Sequence, residues 1–228
     1  MYSNYKYVNK VFYFIKKIWG IGLEKIDDFK SLEKVALDLG VSDARIIPID
    51  QVIVEDRVRL RCMVGCPIYG KNLKCPPYTP SVEEFRRILS DYSFAMVIKL
   101  KTSELVNELC EEYNINSEET RINDLDQSNI TSFSTDIIDD YKTRLTMLLK
   151  LERAAFNSGY TFATVFFGGC CRLCEKCNVN NGECQYPIMS RFASEAMGIN
   201  LSKTAKNTGM ELKFNPKVPT PLAVMLID

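Results

Sequence analysis

Hydrophobic positions along the chain change their period several times, and each change predicts an element. Over residues 7–22, Val8, Val11, Ile15 and Ile18 recur at helical spacing with Phe12 and Trp19 beside them, while Asn9, Lys10, Lys16 and Lys17 lie away from that stripe. This amphipathic helix is read as packed on the domain. Its segregated aromatics and lysines also suit a membrane-surface or partner-docking helix. Residues 31–39 predict a second, shorter helix stopped by Gly40. Between residues 45 and 61 the apolar positions predict two strands that turn at Glu55-Asp56, the second running straight into Cys62. Ser81 followed by Glu84 forms a capping-box signal, after which Val82, Phe85, Leu89 and Tyr92 make one helical face. The apolar run 94–100 predicts a buried strand.

The second half continues in the same mixed manner. Residues 103–112 resemble a helix, and 113–136 are polar and aperiodic, as in a loop insertion with weak order. Residues 137–158 give the longest helical pattern, with Gly159 suited to its C-terminal end. Residues 161–167 predict a buried strand, 188–197 a helix ended by Gly198, 202–208 a helix ended by Gly209, and 219–227 a closing strand. These elements predict an α/β or mixed α+β fold, a layered sheet with flanking helices and two cysteine-rich cofactor loops. The chain divides into an N-terminal helical extension, 1–29, and a cysteine-rich metal-binding or iron–sulfur domain, 30–228, with the polar insertion at 113–136.

Composition narrows the chemistry. The 228 residues are 46% apolar and 25% charged, as in a soluble globular protein. Acidic and basic residues balance at 29 each, which argues against a dedicated nucleic-acid binder. No run reaches the roughly 18 apolar residues of a spanning helix. There are nine cysteines and no histidine, so any metal site rests on thiolate, carboxylate or backbone. The odd cysteine count, the chain length and the lack of a signal-peptide pattern at the start point to a reducing cytoplasm with free or metal-bound thiols.

The densest motif is Cys171-Arg172-Leu173-Cys174-Glu175-Lys176-Cys177, followed by Cys184. Steps of three residues let one loop present three thiolates to neighbouring corners of a cubane, with a more remote cysteine at the fourth. Zinc is the rival, because it also binds four thiolates, although its structural sites usually take two separated pairs. Cys170 is set aside as a neighbour of this group, adjacent residues being poorly placed to reach one metal. Gly168 and Gly169 would permit a close backbone approach to a bulky cofactor. A first group, Cys62, Cys66 and Cys75, has no evident fourth member. It would hold its own cluster with one iron open, or complete a site shared with the second group. Cys110, in a helical pattern, reads as an ordinary buried cysteine.

Glu152 falls in the middle of the apolar face made by Leu145, Leu148, Ala155 and Phe156. A carboxylate there needs an arginine or backbone partner; the functional alternative is a proton donor or ligand at the cluster edge. Arg191 and Glu195 are spaced for a helical ion pair. Arg61, Lys71, Lys74 and Arg172 flank the cysteines and would offset thiolate charge or hold an anionic substrate.

Taken together, Cys62-x3-Cys66, Tyr69-Gly70-Lys71, Cys75-Pro76-Pro77, Glu152-x3-Phe156-x2-Gly159-Tyr160, the Cys171, Cys174, Cys177 and Cys184 spacing, and Glu195-Ala196-x-Gly198-Ile199 resemble the domain of unknown function 2284 family from about Leu32 to Gly209. Where that family typically reads Arg-Pro-Ser, this chain has Arg191-Phe192-Ala193. The resemblance implies metal binding in a reducing or anaerobic setting and supplies no reaction. Three functions compete: an iron–sulfur redox or electron-transfer protein with one or two 4Fe-4S clusters and a redox partner protein; an enzyme or activator using an open iron at the first cysteine group; and a zinc-stabilised binding module.

Overall fold

The two apolar runs at 94–100 and 219–227 become the inner strands of a four-stranded sheet. The computed structural model describes residues 23–101, 127–210 and 220–228. The helices expected over 7–22 and 103–112, Cys110, and residues 113–126 of the polar stretch lie outside the described residues. The strands are β1 (Asp43–Pro48), β2 (Phe94–Lys99), β3 (Thr164–Phe167) and β4 (Leu222–Ile227), in the order β1-β2-β4-β3, every neighbouring pair antiparallel. Met96 of β2 lies between Ile46 and Met225, and Phe167 of β3 faces Ala223. The helices are α1 (Leu23–Asp38), α2 (Asp56–Gly65), α3 (Val82–Leu89), α4 (Gln127–Asn157) and α5 (Leu201–Asn207). The fold is therefore of the mixed α+β class.

Both faces of the sheet are covered, which explains why its inner strands show no alternation of polarity. Phe94, Met96, Ile98, Met225 and Ile227 point to one face, where Phe29, Leu32 and Ala36 of α1 and Leu145, Leu148, Leu151 and Ala155 of α4 close over them. Ala95, Val97, Val224 and Leu226 point to the other, against Phe85 of α3, Met197, Ile199 and Ala205 of α5. The Ser81 capping box forms: its hydroxyl accepts from Glu84 N–H at 3.1 Å and Glu84 returns a bond to Ser81 N–H at 2.7 Å.

Four expectations change. The segment read as a second strand running into Cys62 is helix α2; only Val54 makes a strand-like bridge, to Ile199. Its alternation of Val58 and Leu60 with arginines fitted a half-buried strand, but neither face is buried: no residue of α2 is buried, and Val64 is 77% exposed. The expected helix at 188–197 is reduced to a single tight turn, Glu195–Met197, because Arg191 and Ala193 are engaged by other segments. Helix α4 starts at Gln127, so residues 127–136 are helical. Phe156, expected on the buried face of α4, is 57% exposed, although Ala155 is fully buried.

Helix α2 is held by its first turn. Glu55 N–H donates to Gly198 O at 2.8 Å, and the Glu55 carboxylate accepts from Arg57 Nη2 at 2.7 Å, Lys203 Nζ at 2.7 Å and Asn200 Nδ2 at 2.6 Å. Gly198 has φ +80°, and a Cβ there would stand 3.0 Å from Val82 Cγ1 and 3.3 Å from Glu55 O.

Gly198→Ala therefore combines left-handed backbone strain with a clash and should cost about 1–3 kcal/mol, read as a lower denaturation midpoint. Arg57, followed by Lys203 and Asn200, holds the Glu55 carboxyl down from 4.5 to about 2. A depressed carboxylate stabilises the fold above its ordinary range, and that contribution is lost as pH falls through 4.5 towards 2. Glu55→Gln should lower the melting temperature at neutral pH and match the parent near pH 2, in a pH series of thermal melts.

Candidate metal centre

The cysteine groups meet because three stretches of chain lie side by side at one end of the sheet. Phe167, the last residue of β3, bridges Ala193 in parallel, and Ser194 N–H donates to Phe167 O at 3.2 Å. On its other side Ala193 N–H donates to Lys74 O at 3.4 Å. The loop that carries Cys75 and the loop that leaves β3 are thus laced to the same short segment. Asn72 adds a direct tie: its Nδ2 donates to Cys171 O at 2.8 Å, its Oδ1 accepts from Lys74 N–H at 2.9 Å, and its carbonyl accepts from Cys75 N–H at 3.0 Å. Asn72 is 7% exposed, so these bonds are sheltered from water.

Cys62 lies on α2 and Cys66 caps its C-terminus. After Cys66 the chain turns, with Tyr69 N–H on Cys66 O at 3.1 Å and Gly70 N–H on Pro76 O at 3.0 Å. Cys75 is buried, Cys66 exposed, and Cys62, Cys170, Cys171, Cys174, Cys177 and Cys184 are half-buried; all eight are free thiols. Burial, followed by the neighbouring thiols Cys170, Cys62, Cys66 and Cys171, pushes Cys75 up to about 12. Burial, then Cys66 and Glu195, raises Cys62.

The thiols of the second group also act on one another. Burial raises Cys171, as do Cys184 and Cys177; burial followed by Cys171, Cys177 and Cys184 raises Cys174. Three of its sulfurs are hydrogen-bonded. Leu73 N–H donates to Cys177 Sγ at 3.4 Å, Ser190 Oγ lies 3.3 Å from Cys184 Sγ, and the Tyr141 side chain bonds to Cys171. Together with Cys170 the four thiols line a cavity of about 160 Å³, which Ile68, Lys71, Asn72, Leu73 and Lys74 of the first loop also line. Among the described residues, no three His, Cys, Asp or Glu side chains are drawn tightly enough around one point to hold a single ion. The thiols line a shared cavity instead.

This donor set fits a cationic metal centre. Burial, and then repulsion between neighbouring thiolates, raises Cys62, Cys75, Cys171 and Cys174, and a bound cation removes that penalty. Arg61 and Arg59 lower Cys62 in part, and Lys71, Lys74 and Arg172 border the cavity. Lys74 Nζ also sits 4.9 Å from the centre of the Phe192 ring.

The remaining candidates have defined partners. Glu152 Oε2 accepts from Arg191 Nε at 2.9 Å and from Val165 N–H at 2.9 Å, and its Oε1 pairs with Arg191 Nη2. Arg191 also donates to Ile188 O and Ser190 O, so this pair pulls the chain behind Cys184 onto α4 and β3. The expected Arg191–Glu195 helical pair is not formed, because residue 191 lies outside any helix. Glu195 accepts instead from Gly169 N–H at 3.1 Å. Gly168, expected to admit a cofactor, is close to protein: a Cβ there would lie 3.3 Å from Leu222 O and 3.5 Å from Glu195 Oε1. The sequence reading missed Asn72 and Tyr141, whose partners lie far away in the chain.

No curated protein and no solved structure matches the chain. Residues 45–227 match the family model described as predicted metal-binding protein (DUF2284), and the chain, so matched over most of its length, belongs to that family.

Proposed function

We propose that this metal-binding protein is an iron–sulfur redox protein that carries electrons in a reducing cytoplasm. Cys171, Cys174, Cys177 and Cys184 hold one 4Fe-4S cluster, and Cys62, Cys66 and Cys75 are ligands of a second. The observation that carries this reading is that all four thiols of the second group line one cavity. Four thiolates on one zinc ion sit about 2.3 Å from it, a tighter gathering than any three ligating side chains make among the described residues. A cavity of about 160 Å³ has room for about five waters, or for an inorganic core of several atoms. The hydrogen bonds to Cys171, Cys177 and Cys184 support the same reading, because bonds to ligand sulfurs are a main control on cluster potential. An iron–sulfur cluster supplies reversible one-electron storage. The protein's own residues hold it, shield it and set its charge. Glu152, tied to Arg191, acts as a tether for the loop and not as a proton donor. The exposed Cys66 marks the side from which a redox partner protein would approach.

Anaerobically purified protein should be brown and contain about eight iron and eight sulfide per chain. Cys174→Ser and Cys66→Ser should each remove about half of the iron, and each should spare the other centre's spectrum. Colourless protein with zinc and no acid-labile sulfide would refute the redox reading. Tyr141→Phe removes a hydrogen bond that favours the more negative, reduced cluster, so it should shift one midpoint potential downwards in a redox titration and leave iron content unchanged.

A further inference from the structure

The two sides of helix α2 differ. At helical spacing Val58, Arg59 and Cys62 share one side, and all three are half-buried, as the helix packs against the turn Glu195–Met197. Leu60, Met63 and Val64 share the other side and are 52%, 60% and 77% exposed, with the exposed Arg57 and Arg61 along its edge. Large apolar side chains gathered on one exposed helix face mark an interaction surface more often than a solvated one. We propose that this outer side of α2 is the docking surface for a protein partner with an acidic face, which exchanges one electron with the first cysteine group behind it. This rests on the iron–sulfur reading above and gives its redox partner a place and a charge.

The charge of the surface comes from its sequence. Residues 57–82 carry Arg57, Arg59, Arg61, Lys71 and Lys74 and no acidic residue. Most carboxylates that flank this stretch are engaged. Glu55 accepts from Arg57 and Lys203, Asp56 pairs with Arg86 at 2.5 Å, and Glu84 closes the Ser81 box, so that Glu83 alone of the four has no such partner among the described residues. Arg59 is turned inward onto Pro80 O. Arg61 and Lys71 are exposed and make no hydrogen bond or ion pair among the described residues. The loop that follows α2 extends the surface. Tyr69 N–H donates to Cys66 O and Gly70 N–H to Pro76 O, which sets the half-exposed Tyr69 and Tyr78 beside the exposed end of the helix at Cys66.

The two features together select the occupant. A nucleic acid would answer the cations but offers a phosphate backbone to Leu60, Met63 and Val64. A second copy of this chain would set Arg61 against the same basic surface. A protein with an acidic face satisfies both, since interfaces place apolar side chains at their centre and charges at their rim. Cys62 lies on the opposite side of the same helix, so the docked partner stands about one helix width, ~10 Å, from that thiol. One electron passes from the reduced centre to the oxidised one, and no bond is made or broken. Opposite charges speed the encounter, and the apolar stripe sets how long it lasts.

The test uses anaerobically prepared full-length protein and two protein probes of opposite charge, an acidic 2Fe-2S ferredoxin and the basic cytochrome c. Complex formation is read by titration calorimetry and electron exchange by stopped flow, at ionic strengths of about 0.01 and about 1 M, where charges act over about 30 and about 3 Å. Ferredoxin should bind at low salt and at least about tenfold more weakly at high salt, and cytochrome c should not bind. Leu60→Ser/Val64→Ser should weaken the ferredoxin complex about tenfold at both salts, and Arg61→Gln at low salt only. Phe162→Ser, 70% exposed but at the end of β3 away from the cysteine loops, should bind as wild type does. Unchanged iron content reports an intact centre in each variant; should the double variant lose iron, Val64→Ser, at the most exposed of the three positions, decides by the same measurement. The surface is overturned if the two probes behave alike or if the α2 variants bind as tightly as wild type. It is also overturned if anionic lipid vesicles or a second copy bind there instead, seen as co-sedimentation or dimerisation that Leu60→Ser/Val64→Ser abolishes. If wild type carries zinc, the redox reading falls, yet a salt-sensitive ferredoxin complex lost in the α2 variants still supports the surface. Brown protein that exchanges electrons equally with both probes keeps the redox reading and refutes the surface.

Discussion

Everything at the cysteine-rich end depends on keeping mutually repelling sulfur donors together before any cation is there to reconcile them. The protein meets this cost with backbone pairing. Ala193 lies between Phe167 and Lys74, so the two cysteine loops are laced to a common segment that continues from β3. Asn72, buried and bonded on three sides, adds a side-chain amide bridge between the loops. Backbone bonds of this kind do not depend on the protonation of the thiols. They hold the donors in place whether the sulfurs are neutral or bound to metal, and a donor set built in advance loses less entropy on binding.

The sheet was legible in the sequence where burial on both faces left unmistakable apolar runs, at 94–100 and 219–227. Helix signals with a local cause also carried through, such as the Ser81–Glu84 box and the glycines after α1, α4 and α5. The segment from Arg57 to Arg61 was misread because alternation is evidence of a half-buried strand only if something covers one face. Here the segment stands at the surface as α2, fixed through Glu55 at one end. Residues 188–197 were misread because helical spacing of Arg191 and Glu195 says nothing about distant partners. Glu152 claims the arginine and Gly169 claims the glutamate.

The second cysteine group was legible because its members are close in sequence and share one loop. The first group was legible only in part. Its ties are supplied across about a hundred residues of chain, and no local spacing records that Asn72 reaches Cys171 O. Glu152 shows the opposite case. A carboxylate on an apolar helical face was correctly marked as unusual, and the arginine or backbone partner expected for it proved to be both at once, Arg191 and Val165 N–H.

The position of β4 has a consequence for how the centre is made. This strand follows every cysteine in the chain, yet it lies between β2 and β3 and accepts the Gly168 N–H at the root of the second loop. During synthesis both loops emerge while the gap between β2 and β3 is still empty. The sulfurs are gathered only when this later strand slots into the interior, so metal insertion waits for β4 and not merely for the appearance of its ligands.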